Sequence, residues 1–518
     1  QQGAAPPATS AVQMETAQTA LTARIDPPGR HLAVRTRPRK RPEPDKTPRP
    51  AIPDRSFPHA ISARRNLAEQ WRKVLDFKPG DSGGEPTALA TDSACNLYVC
   101  GFMQNSRTDE DFITLKFDAK GRLVWERRYN GPGNDLDRAR SIAVDAHGNV
   151  YVTGESDGGK GNGVGRHNCW DYATVKYDAA GDLKWVARYN GAGNGVDQPV
   201  KVALDGVEDV YVTGTSYGGR ATGNDIVTIK YDMQTGRQVW AQRYNGPASL
   251  DDEAADMQVT PAGDVYVTGT SVTSIRAAGK GDNLSELTAL KYDTNGRLVW
   301  AKHWAEGNDC AKSRALCLDE HENLLIAASL GCGSAQLPWW NEHGLLVRMD
   351  RDGKELWSKC LTMTQTGYQM LLSATVDPYG DSCVLSDGAT TPSENYPAAR
   401  AVGLCRYSPQ GKRLWYSDTF GARLDHVVAT GMGVGPTGAV YASCAGPGSD
   451  GPGHPDELLA MKYSQFTGLT VRRIHLPLSD CEESRRLLTI DVRGNVYIAC
   501  ATYVQHEPGY LTIVKFTQ

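Results

Sequence analysis

The sequence has no hydrophobic run long enough to span a membrane and no closely spaced cysteines. A spanning helix needs about 20 consecutive apolar residues, and no stretch of the chain approaches that length. The 12 cysteines form neither a Cys-x-x-Cys motif nor a Cys-Cys pair, so the spacing used by zinc and redox sites is absent. The formal net charge is only −4, which indicates no strongly charged partner. We therefore expect no membrane span and no nucleic-acid partner.

Catalytic groupings are also absent from the sequence. No Ser/His/Asp set and no pair of carboxylates can be inferred from spacing along the chain, so neither a nucleophilic nor an acid–base site can be assigned. The sequence consequently predicts an architecture more sharply than an activity.

Residues 1–65 lack the hydrophobic periodicity of helices or strands. In residues 34–50 proline is mixed with arginine and lysine (VRTRPRKRPEPDKTPRP). Such a segment buries too little apolar surface to offset the entropy lost on ordering. We therefore predict a disordered or extended arm before a folded domain at 66–518. The arm either touches an anionic surface, such as a cell envelope or nucleic acid, or is a solvated spacer, and we favour the spacer.

The sequence begins at Gln1 rather than at methionine, and continues QGAAPPATS. We interpret this as the mature end that remains after removal of an export signal. The expected location is therefore extracellular, periplasmic or at the cell surface.

One stretch, residues 141–190, recurs along most of the chain. It contains four short segments rich in valine, tyrosine and threonine, which is typical of β-strands rather than helices. These segments, called A to D, are residues 141–144, 150–153, 174–177 and 183–189. The turns between A and B (DAHGN) and between C and D (DAAGD) place glycine where positive φ is needed, so both pairs are predicted antiparallel hairpins. One such sheet cannot bury both of its faces, so it needs neighbours.

The neighbours are further copies of the same unit. Segment B returns at 209–214 and 264–269 as DVYVTG, and related copies bring the total to eight. The tryptophan of segment D recurs as Trp125, Trp185, Trp240, Trp300, Trp357 and Trp415. Each of these side chains suits the space between two adjacent sheets. We therefore predict that the tryptophans are structural and do not form a ligand cage.

The two ends of the chain carry complementary, incomplete copies. Residues 66–77 (NLAEQWRKVLDF) match a D segment without A, B or C, with Trp71 at the tryptophan position. Residues 510–516 (YLTIVKF) match a C segment without a following D. Pairing of the first with the last completes a sheet and removes an exposed edge. The predicted fold is an all-β, eight-bladed β-propeller of four-stranded blades, closed by the N-terminal strand and preceded by the arm.

Three phrases of the repeated unit resemble the bacterial SBBP-type β-propeller repeat. They are D-x-x-G-N-V-Y-V-T-G at 145–154, T-V-K-Y-D at 174–178 and W-x-x-R-Y-N-G at 185–191. The resemblance implies an exported protein, because this repeat occurs mostly in exported proteins of undefined biochemical role. Later copies depart from the pattern: Trp304 replaces the tyrosine of R-Y-N-G, and Leu469 or Val471 stands where a tryptophan is due. The family name implies seven blades, whereas the copies number eight.

A further phrase, DTNGRLVW at 293–300, is similar to the docking motif of quinoprotein dehydrogenases, which are also eight-bladed. That resemblance implies a quinone above two adjacent cysteines and a calcium site, but no Cys-Cys dipeptide occurs here. We keep a quinone-dependent enzyme as a second hypothesis and assign no cofactor. A polysaccharide-cleaving propeller enzyme and a structural protein of the cell envelope are also compatible with the sequence.

The connections between segments differ at the two ends of each predicted sheet. The A–B and C–D turns are short, whereas B–C connections are long and variable, as at 155–170, 270–285 and 330–343. Irregular loops on a rigid frame are common binding sites. The leading hypothesis is an exported binding or scaffold protein that recognises a protein or a polysaccharide through this long-loop face.

Aromatic and histidine side chains in these loops are the candidate ligand contacts. They are Trp339, Trp340, Trp170, Tyr217, Tyr396, His167 and His454. Aromatic rings with polar tips suit the apolar faces of sugars and the anchors of protein interfaces. A purely structural role is the competing interpretation, in which Trp339 and Trp340 cover the top of the fifth blade and Trp170 packs at the start of a strand.

Acidic residues precede several A segments at equivalent places. They are Asp137, Asp197, Asp252 and Glu483. One hypothesis is a calcium site at the mouth of a central channel, which makes calcium the one metal the sequence suggests. The other, which we favour, is that each carboxylate accepts backbone N–H groups of its own D–A loop.

Overall fold

β-Strands account for all regular secondary structure in the part of the protein that the structure describes. The computed structural model describes residues 68–75, 81–159, 170–275, 283–304, 310–331, 343–361, 367–390, 400–418, 428–447, 456–477, 486–504 and 507–517. These ranges contain 32 strands and no helix, and therefore no helix suited to crossing a membrane. The described residues all belong to one compact unit. The predicted arm at 1–65 lies outside them.

The strands are grouped in fours along the chain, apart from the first, β1 (Ala68–Leu75). Sheet 1 consists of β2 (Asp81–Thr91), β3 (Leu97–Asn105), β4 (Asp109–Phe117) and β5 (Leu123–Tyr129). Sheet 2 consists of β6 (Asp137–Val144), β7 (Val150–Asp157), β8 (Trp170–Tyr177) and β9 (Leu183–Tyr189). Sheet 3 consists of β10 (Asp197–Leu204), β11 (Asp209–Gly219), β12 (Gly223–Asp232) and β13 (Gln238–Tyr244). Sheet 4 consists of β14 (Asp252–Val259), β15 (Val265–Ser274), β16 (Leu284–Tyr292) and β17 (Leu298–Trp304).

The second half of the chain repeats the scheme. Sheet 5 consists of β18 (Cys310–Leu318), β19 (Leu324–Gly331), β20 (His343–Met349) and β21 (Glu355–Leu361). Sheet 6 consists of β22 (Gly367–Val376), β23 (Ser382–Thr390), β24 (Arg400–Tyr407) and β25 (Arg413–Asp418). Sheet 7 consists of β26 (Val428–Val434), β27 (Val440–Pro447), β28 (Asp456–Tyr463) and β29 (Thr470–Pro477). Sheet 8 consists of β30 (Arg486–Ile490), β31 (Val496–Val504), β32 (Glu507–Thr517) and β1.

Pairing is antiparallel within every sheet, which confirms the prediction of an all-β fold built from four-stranded antiparallel sheets. In sheet 8 the fourth strand is β1, whose ladder with β32 runs from Ala68 opposite Thr517 to Leu75 opposite Leu511. A parallel bridge, Ser285 to Cys310, joins sheets 4 and 5.

The A–B turn of sheet 2 shows why these residues reverse the chain. Asp145 accepts hydrogen bonds from the backbone N–H groups of His147 and Asn149, each at 2.9 Å. Gly148 adopts a φ of 78°, which residues with a Cβ rarely adopt. The hydroxyl of Tyr151 donates to the same carboxylate at 3.1 Å, which ties strand β7 to its own turn.

The apolar core lies between neighbouring sheets. Tyr98 and Phe112 of sheet 1 belong to the same buried cluster as Val150 and Val175 of sheet 2. On the other side of sheet 1, Leu97 and Leu115 share a cluster with Tyr497 and Ile513 of sheet 8. The first strands of consecutive sheets contact one another along the chain, and β30 of sheet 8 also contacts β2 of sheet 1.

Seven tryptophans of the described strands dock one sheet onto the next. Each donates its indole N–H to a backbone carbonyl in the C–D turn of the following sheet. The pairs are Trp71 with Ala119 (3.3 Å), Trp125 with Ala179 (3.2 Å), Trp185 with Met233 (3.1 Å), Trp240 with Thr294 (3.1 Å), Trp300 with Arg351 (3.3 Å), Trp357 with Pro409 (2.8 Å) and Trp415 with Gln465 (3.0 Å). The predicted structural role of the repeat tryptophans is thereby confirmed.

A glycine in the receiving turn makes room for the indole. Gly236 has a φ of 69°, and a Cβ there would lie 2.6 Å from Cδ2 of Trp185. Burial of one tryptophan removes roughly 150–250 Å² from water, worth about 4–6 kcal/mol at ~25 cal/mol/Å² before ordering costs. The docking contacts are therefore a major source of cohesion between sheets.

A lysine from strand C reinforces the same contact. Lys176 donates to the carbonyl of Met233 at 2.8 Å, the group that also accepts the indole of Trp185. Its ammonium lies 5.3 Å from the ring centre of Tyr151, a cation–π distance. Equivalent pairs occur between Lys116 and Tyr98, Lys230 and Tyr211, Lys291 and Tyr266, Lys462 and Tyr441, and Lys515 and Tyr497.

Sheets 5 and 6 replace this lysine by arginine and the tyrosine by a smaller side chain. In sheet 5, Leu325 takes the tyrosine position, and Arg348 bonds directly to Asp319 of the A–B turn and to Ser382 of sheet 6. In sheet 6, Arg406 bonds to Asp377 of the turn in the same way. The arginine side chain is longer than that of lysine, so its guanidinium reaches the turn carboxylate that a tyrosine hydroxyl binds in sheet 2.

The tryptophan missing after Trp415 has a structural explanation. In the register of sheet 7, Arg472 of β29 lies opposite Lys462 as Trp185 lies opposite Lys176 in sheet 2. The tryptophan position is therefore Arg472, and its prediction at Leu469 or Val471 is wrong. The receiving turn would join the third and fourth strands of sheet 8. Those strands are β32 and β1, which no turn connects. A tryptophan at this place would have no turn to dock on.

Candidate functional site

Each sheet has two chemically different ends. At the turn end, the A–B and C–D turns are uniform, as between Val144 and Val150 or between Tyr177 and Leu183. At the loop end, the B–C connections vary widely. The shortest joins Val504 to Glu507, and the longest joins Asp157 to Trp170. The loop ends are therefore where the repeated units differ from one another.

Buried aspartates anchor the loop ends of sheets 2, 3 and 4. Asp137, Asp197 and Asp252 are the first residues of β6, β10 and β14, and all three are fully buried. Their Oδ2 atoms accept backbone N–H groups of the preceding loop: Gly131 at 2.6 Å, Gly191 at 2.7 Å and Gly246 at 2.5 Å. Each carboxylate therefore fixes the loop that leads into its own strand.

Burial raises the pKa of these three carboxyl groups. It raises the pKa of Asp137 to about 7 and that of Asp252 to about 6, against opposing hydrogen bonds from Ser156 and Ser271. The pKa of Asp197 is raised for the same reason. Near neutral pH Asp137 and Asp252 are thus partly protonated, unlike ordinary aspartates.

The calcium hypothesis for these acids stays a prediction. In the ranges that the structure describes, no group of three or more His, Cys, Asp or Glu side chains is placed to hold a metal ion. Glu483, the fourth predicted member, lies outside those ranges. The observed bonds of the other three are to backbone amides, as in the capping interpretation.

Arginine side chains tie neighbouring loop ends together behind the aspartates. Arg188 of β9 donates to Ser156 Oγ at 2.6 Å, to Asp171 at 3.0 Å and to the hydroxyl of Tyr129 in sheet 1 at 3.2 Å. Arg243 makes the matching bonds to Ser216, Asp225 and Tyr189 one sheet further on. These polar groups are used to join strands and sheets, and they make the loop ends a rigid base.

Histidine replaces this arginine in sheet 4. His303 Nε2 lies 2.9 Å from the Tyr244 hydroxyl, and its Nδ1 lies 3.1 Å from Thr288 Oγ1. Burial lowers the pKa of His303, although Glu286 opposes the shift. The imidazole thus serves as a mainly neutral bridge where sheets 2 and 3 use a guanidinium.

Two of the predicted ligand contacts lie within the described ranges, both at loop ends. Trp170 is the half-buried first residue of β8, and Tyr217 is half-buried in β11. The Tyr217 ring covers a glycine loop, because a Cβ on Gly193 or Gly195 would lie 2.7 or 2.6 Å from its Cδ1. Trp339, Trp340, Tyr396, His167 and His454 lie outside the described ranges.

A cavity at the turn ends was not foreseen from the sequence. It has a volume of about 500 Å³ and lies where the first strands of sheets 5 to 8 end. Its lining residues come from the A–B turns of four different copies, such as Pro378, Pro436 and Val492, so no single segment of the sequence indicates it. The lengths of the B–C connections predict a binding site at the opposite end of the sheets.

Residues 124–160 match the family model described as SBBP: Beta-propeller repeat. This match confirms the resemblance inferred from the phrase at 145–154, so the chain carries a repeat of that type. No curated protein sequence is significantly similar to this chain.

Three solved structures that are similar to the chain have low sequence identity to it. An ulvan lyase from a new polysaccharide lyase family is 8% identical, with 85% of this chain and 95% of that chain covered and a TM-score of 0.45. The WD40 domain of SCAP from fission yeast is 9% identical, with 88% and 98% covered and a TM-score of 0.43. The β-propeller domain of the trilobed protease from Pyrococcus furiosus is 8% identical, with 73% and 93% covered and a TM-score of 0.38.

Proposed function

We propose that the protein is an eight-bladed β-propeller that acts as a binding or scaffold protein and recognises a protein or a polysaccharide through its loop ends. The observation that carries the proposal is the contrast between uniform turns at one end of the sheets and variable connections at the other. A uniform frame with variable loops is the arrangement that proteins use to present binding residues.

The closed ring of blades is supported by contacts between sheets 8 and 1. β1 pairs with β32, β30 contacts β2, and the indole of Trp71 bonds to Ala119 of sheet 1. Lys515 of β32 donates to the same carbonyl at 3.0 Å. Sheet 8 thus docks on sheet 1 in the way that sheet 2 docks on sheet 3, and such closure removes exposed strand edges.

The loop ends combine rigidity with variation. Arg188 and Arg243 fix the strand ends, and Asp197 fixes the loop that leads into β10. The loop between β9 and β10, which is held in this way, loses little conformational entropy when a ligand binds, which favours affinity. Trp170 and Tyr217 lie on this base, and aromatic side chains of this kind suit sugar faces and protein anchors.

The proposed location is outside the cytoplasm, at the cell surface, in the periplasm or in the medium. It rests on the type of repeat, which the match at 124–160 supports. A partner or a polysaccharide in that location is therefore the ligand class to test first.

The test is a capture experiment from native envelope and medium combined with a glycan array, using the whole protein. Replacement of both Trp339 and Trp340 by alanine should abolish binding to the ligand so identified. An interface anchor contributes ~2 kcal/mol or more, which is about 30-fold in affinity for each tryptophan. Val207→Ser is the matched control, because Val207 is 66% exposed in the A–B turn of sheet 3, at the opposite end.

The control should bind as the unmodified protein does. A double variant with unchanged affinity would place the ligand elsewhere. A double variant that melts at a much lower temperature would assign the two tryptophans to packing of the fifth blade.

A further inference from the structure

The cavity at the turn ends of sheets 5 to 8 has the size of a binding pocket. At about 500 Å³ it falls within the range of about 300–1,000 Å³ that is usual for ligand sites. Apolar groups from three first strands and their turns form much of its wall: Val376 and Pro378 of sheet 6, Val434 and Pro436 of sheet 7, and Ile490 and Val492 of sheet 8. Four consecutive sheets contribute to the wall, so it is held by the packed frame.

Exposed apolar side chains extend the cavity wall onto the surrounding surface. Val492 lines the cavity and is 62% exposed, and Tyr379, next to Pro378, is also 62% exposed. The Tyr379 ring reaches sheet 7, because a Cβ on Gly438 would lie 2.8 Å from both its Cε2 and Oε1 of Gln465. Phe466, the next residue, is 82% exposed. Exposed apolar patches next to a cavity mark interaction surfaces.

Comparison with sheet 3 shows that this apolar character is local. The C–D turns of sheets 3 and 7 have the same length, because the residue pairs that close them, Tyr231 with Gln238 and Tyr463 with Thr470, have the same spacing. At the place of Phe466, sheet 3 has the polar Gln234. The turn conformation therefore does not require an apolar residue there.

Carboxylates supply all the charge in the cavity wall. Asp319, Glu320, Asp377 and Asp491 line it, and no lysine, arginine or histidine is among the described residues that do. Two of these charges are balanced from behind: Arg348 pairs with Asp319, and Arg406 pairs with Asp377. Arg406 also pairs with Asp381 at 2.8 Å, so one guanidinium serves two carboxylates.

The other two carboxylates differ in their partners: Lys515 of β32 interacts electrostatically with Asp491, whereas no lysine or arginine of the described residues pairs with Glu320. Burial would raise the pKa of Asp491, but hydrogen bonds from Asn495 outweigh it and hold the pKa below its usual range, so the group is ionised. Glu320 has a side chain that is 79% exposed at the rim, and the equally accessible His321 lies beside it, with its Nε2 3.7 Å from Oε1 of Glu320. The wall therefore presents net negative charge around an apolar centre.

We propose that this turn-end cavity is a second binding surface, which holds an extended segment of a partner protein that presents an apolar side chain beside a lysine or arginine. The apolar side chain fills the space between Val376, Val434 and Ile490, and the cation lies against Glu320. Buried apolar anchors carry most of the energy of such contacts, while charge complementarity sets specificity and association rate. The surface lies at the opposite end of the strands from the loop-end site and does not depend on it.

The experiment measures fluorescence anisotropy of labelled peptides with the full chain. One peptide carries a leucine flanked by lysines, a second has the lysines replaced by glutamates, and a third has the leucine replaced by serine. Only the first should bind, and its dissociation constant should rise with salt, because exposed charges are screened. Val492→Ser and Glu320→Gln should each weaken binding about tenfold, within the usual effect of an anchor.

Val207→Ser is the matched control, since it removes an equally exposed valine from an A–B turn far along the chain in sheet 3. It should bind the first peptide as the unmodified protein does, as should the Trp339 and Trp340 double variant. Equal binding of all three peptides, or equal loss in the Val207 and Val492 variants, would overturn the proposal. So would self-association of the protein that Val492→Ser abolishes, because a second copy would then occupy the surface.

Discussion

Carboxylates at the two ends of a sheet experience opposite environments. At the loop end, burial raises the pKa of Asp252 to about 6. At the turn end, the hydrogen bond from the backbone N–H of Arg297 lowers the pKa of the half-buried Asp293. The same residue type is therefore a proton-binding group at one end and a permanently charged turn former at the other.

This difference predicts a pH dependence of stability. A folded-state pKa above the unfolded value of 3.8 means that the folded protein binds the proton more tightly. The stabilisation is complete below pH 4 and is lost as pH rises through about 6 for Asp252 and about 7 for Asp137. Because one pKa unit corresponds to ~1.4 kcal/mol, Asp252 alone should lower the free energy of unfolding by about 1 kcal/mol between pH 5 and pH 8.

Asp252→Asn tests this dependence, because the amide oxygen can still accept the Gly246 N–H while the charge is removed. Denaturant unfolding should show little change at pH 5 and a gain relative to the unmodified protein at pH 8. Asp293→Asn is the control and should show no gain at pH 8, since its carboxylate is already favoured as the anion. An unchanged pH profile in Asp252→Asn would contradict the assignment.

The repeated sequence phrases supply residues on neighbouring strands of one sheet, and these residues together contact the next sheet. Tyr151, Lys176 and Trp185 lie on β7, β8 and β9, and the last two converge on one carbonyl of sheet 3. Each of these strands contributes one residue near the turn end of the sheet, so the number of residues between Lys176 and Trp185 is set by the length of the C–D turn. Where arginine replaces lysine, as at Arg348, the tyrosine is replaced as well.

Docking of the indole on the receiving turn predicts that replacement of two turn glycines by alanine destabilises the protein to different extents. Gly236 and Gly206 both have positive φ, of 69° and 82°, in tight turns. A Cβ on Gly206 would meet nothing within 4 Å, whereas one on Gly236 would lie 2.6 Å from the Trp185 ring. Gly206→Ala should cost about 1–2 kcal/mol for the backbone conformation alone, and Gly236→Ala about 1–3 kcal/mol more for displacement of the indole.

Denaturant unfolding of the two variants measures the difference directly. Equal destabilisation would mean that the indole moves away at no cost, and the docking contact would then not be a source of cohesion between sheets.

For the molecule as a whole, the same contacts explain which features were predictable. The strands and their order could be inferred because most copies supply the same turn, lysine and tryptophan contacts to the neighbouring sheet. Tyr217 and the other loop residues carry no such repeated pattern, so their roles could not be inferred. The turn-end cavity was missed because spacing does not show that Tyr379, Phe466 and Val492, from three different turns, lie on one surface.

The proposed closure of the ring by β1 predicts contrasting effects of two truncations. Removal of residues 1–62 should leave the melting temperature nearly unchanged, because β1 is retained. Removal of residues 1–78 deletes β1 and Trp71, exposes the edge of β32, and should cause aggregation or a large loss of stability. Equal melting temperatures for the two truncations would contradict closure.

The antiparallel ladder between β1 and β32 also determines how the protein bears tension. Ala68 lies opposite Thr517 at one end of the ladder, so a force that separates those two points loads this outermost pair first. The remaining pairs then open one after another, as in a zipper, until Trp71 leaves Ala119. In the other seven sheets a covalent turn joins the third and fourth strands and prevents such peeling. A protein pulled between these points yields at sheet 8 first, while the other sheets remain folded.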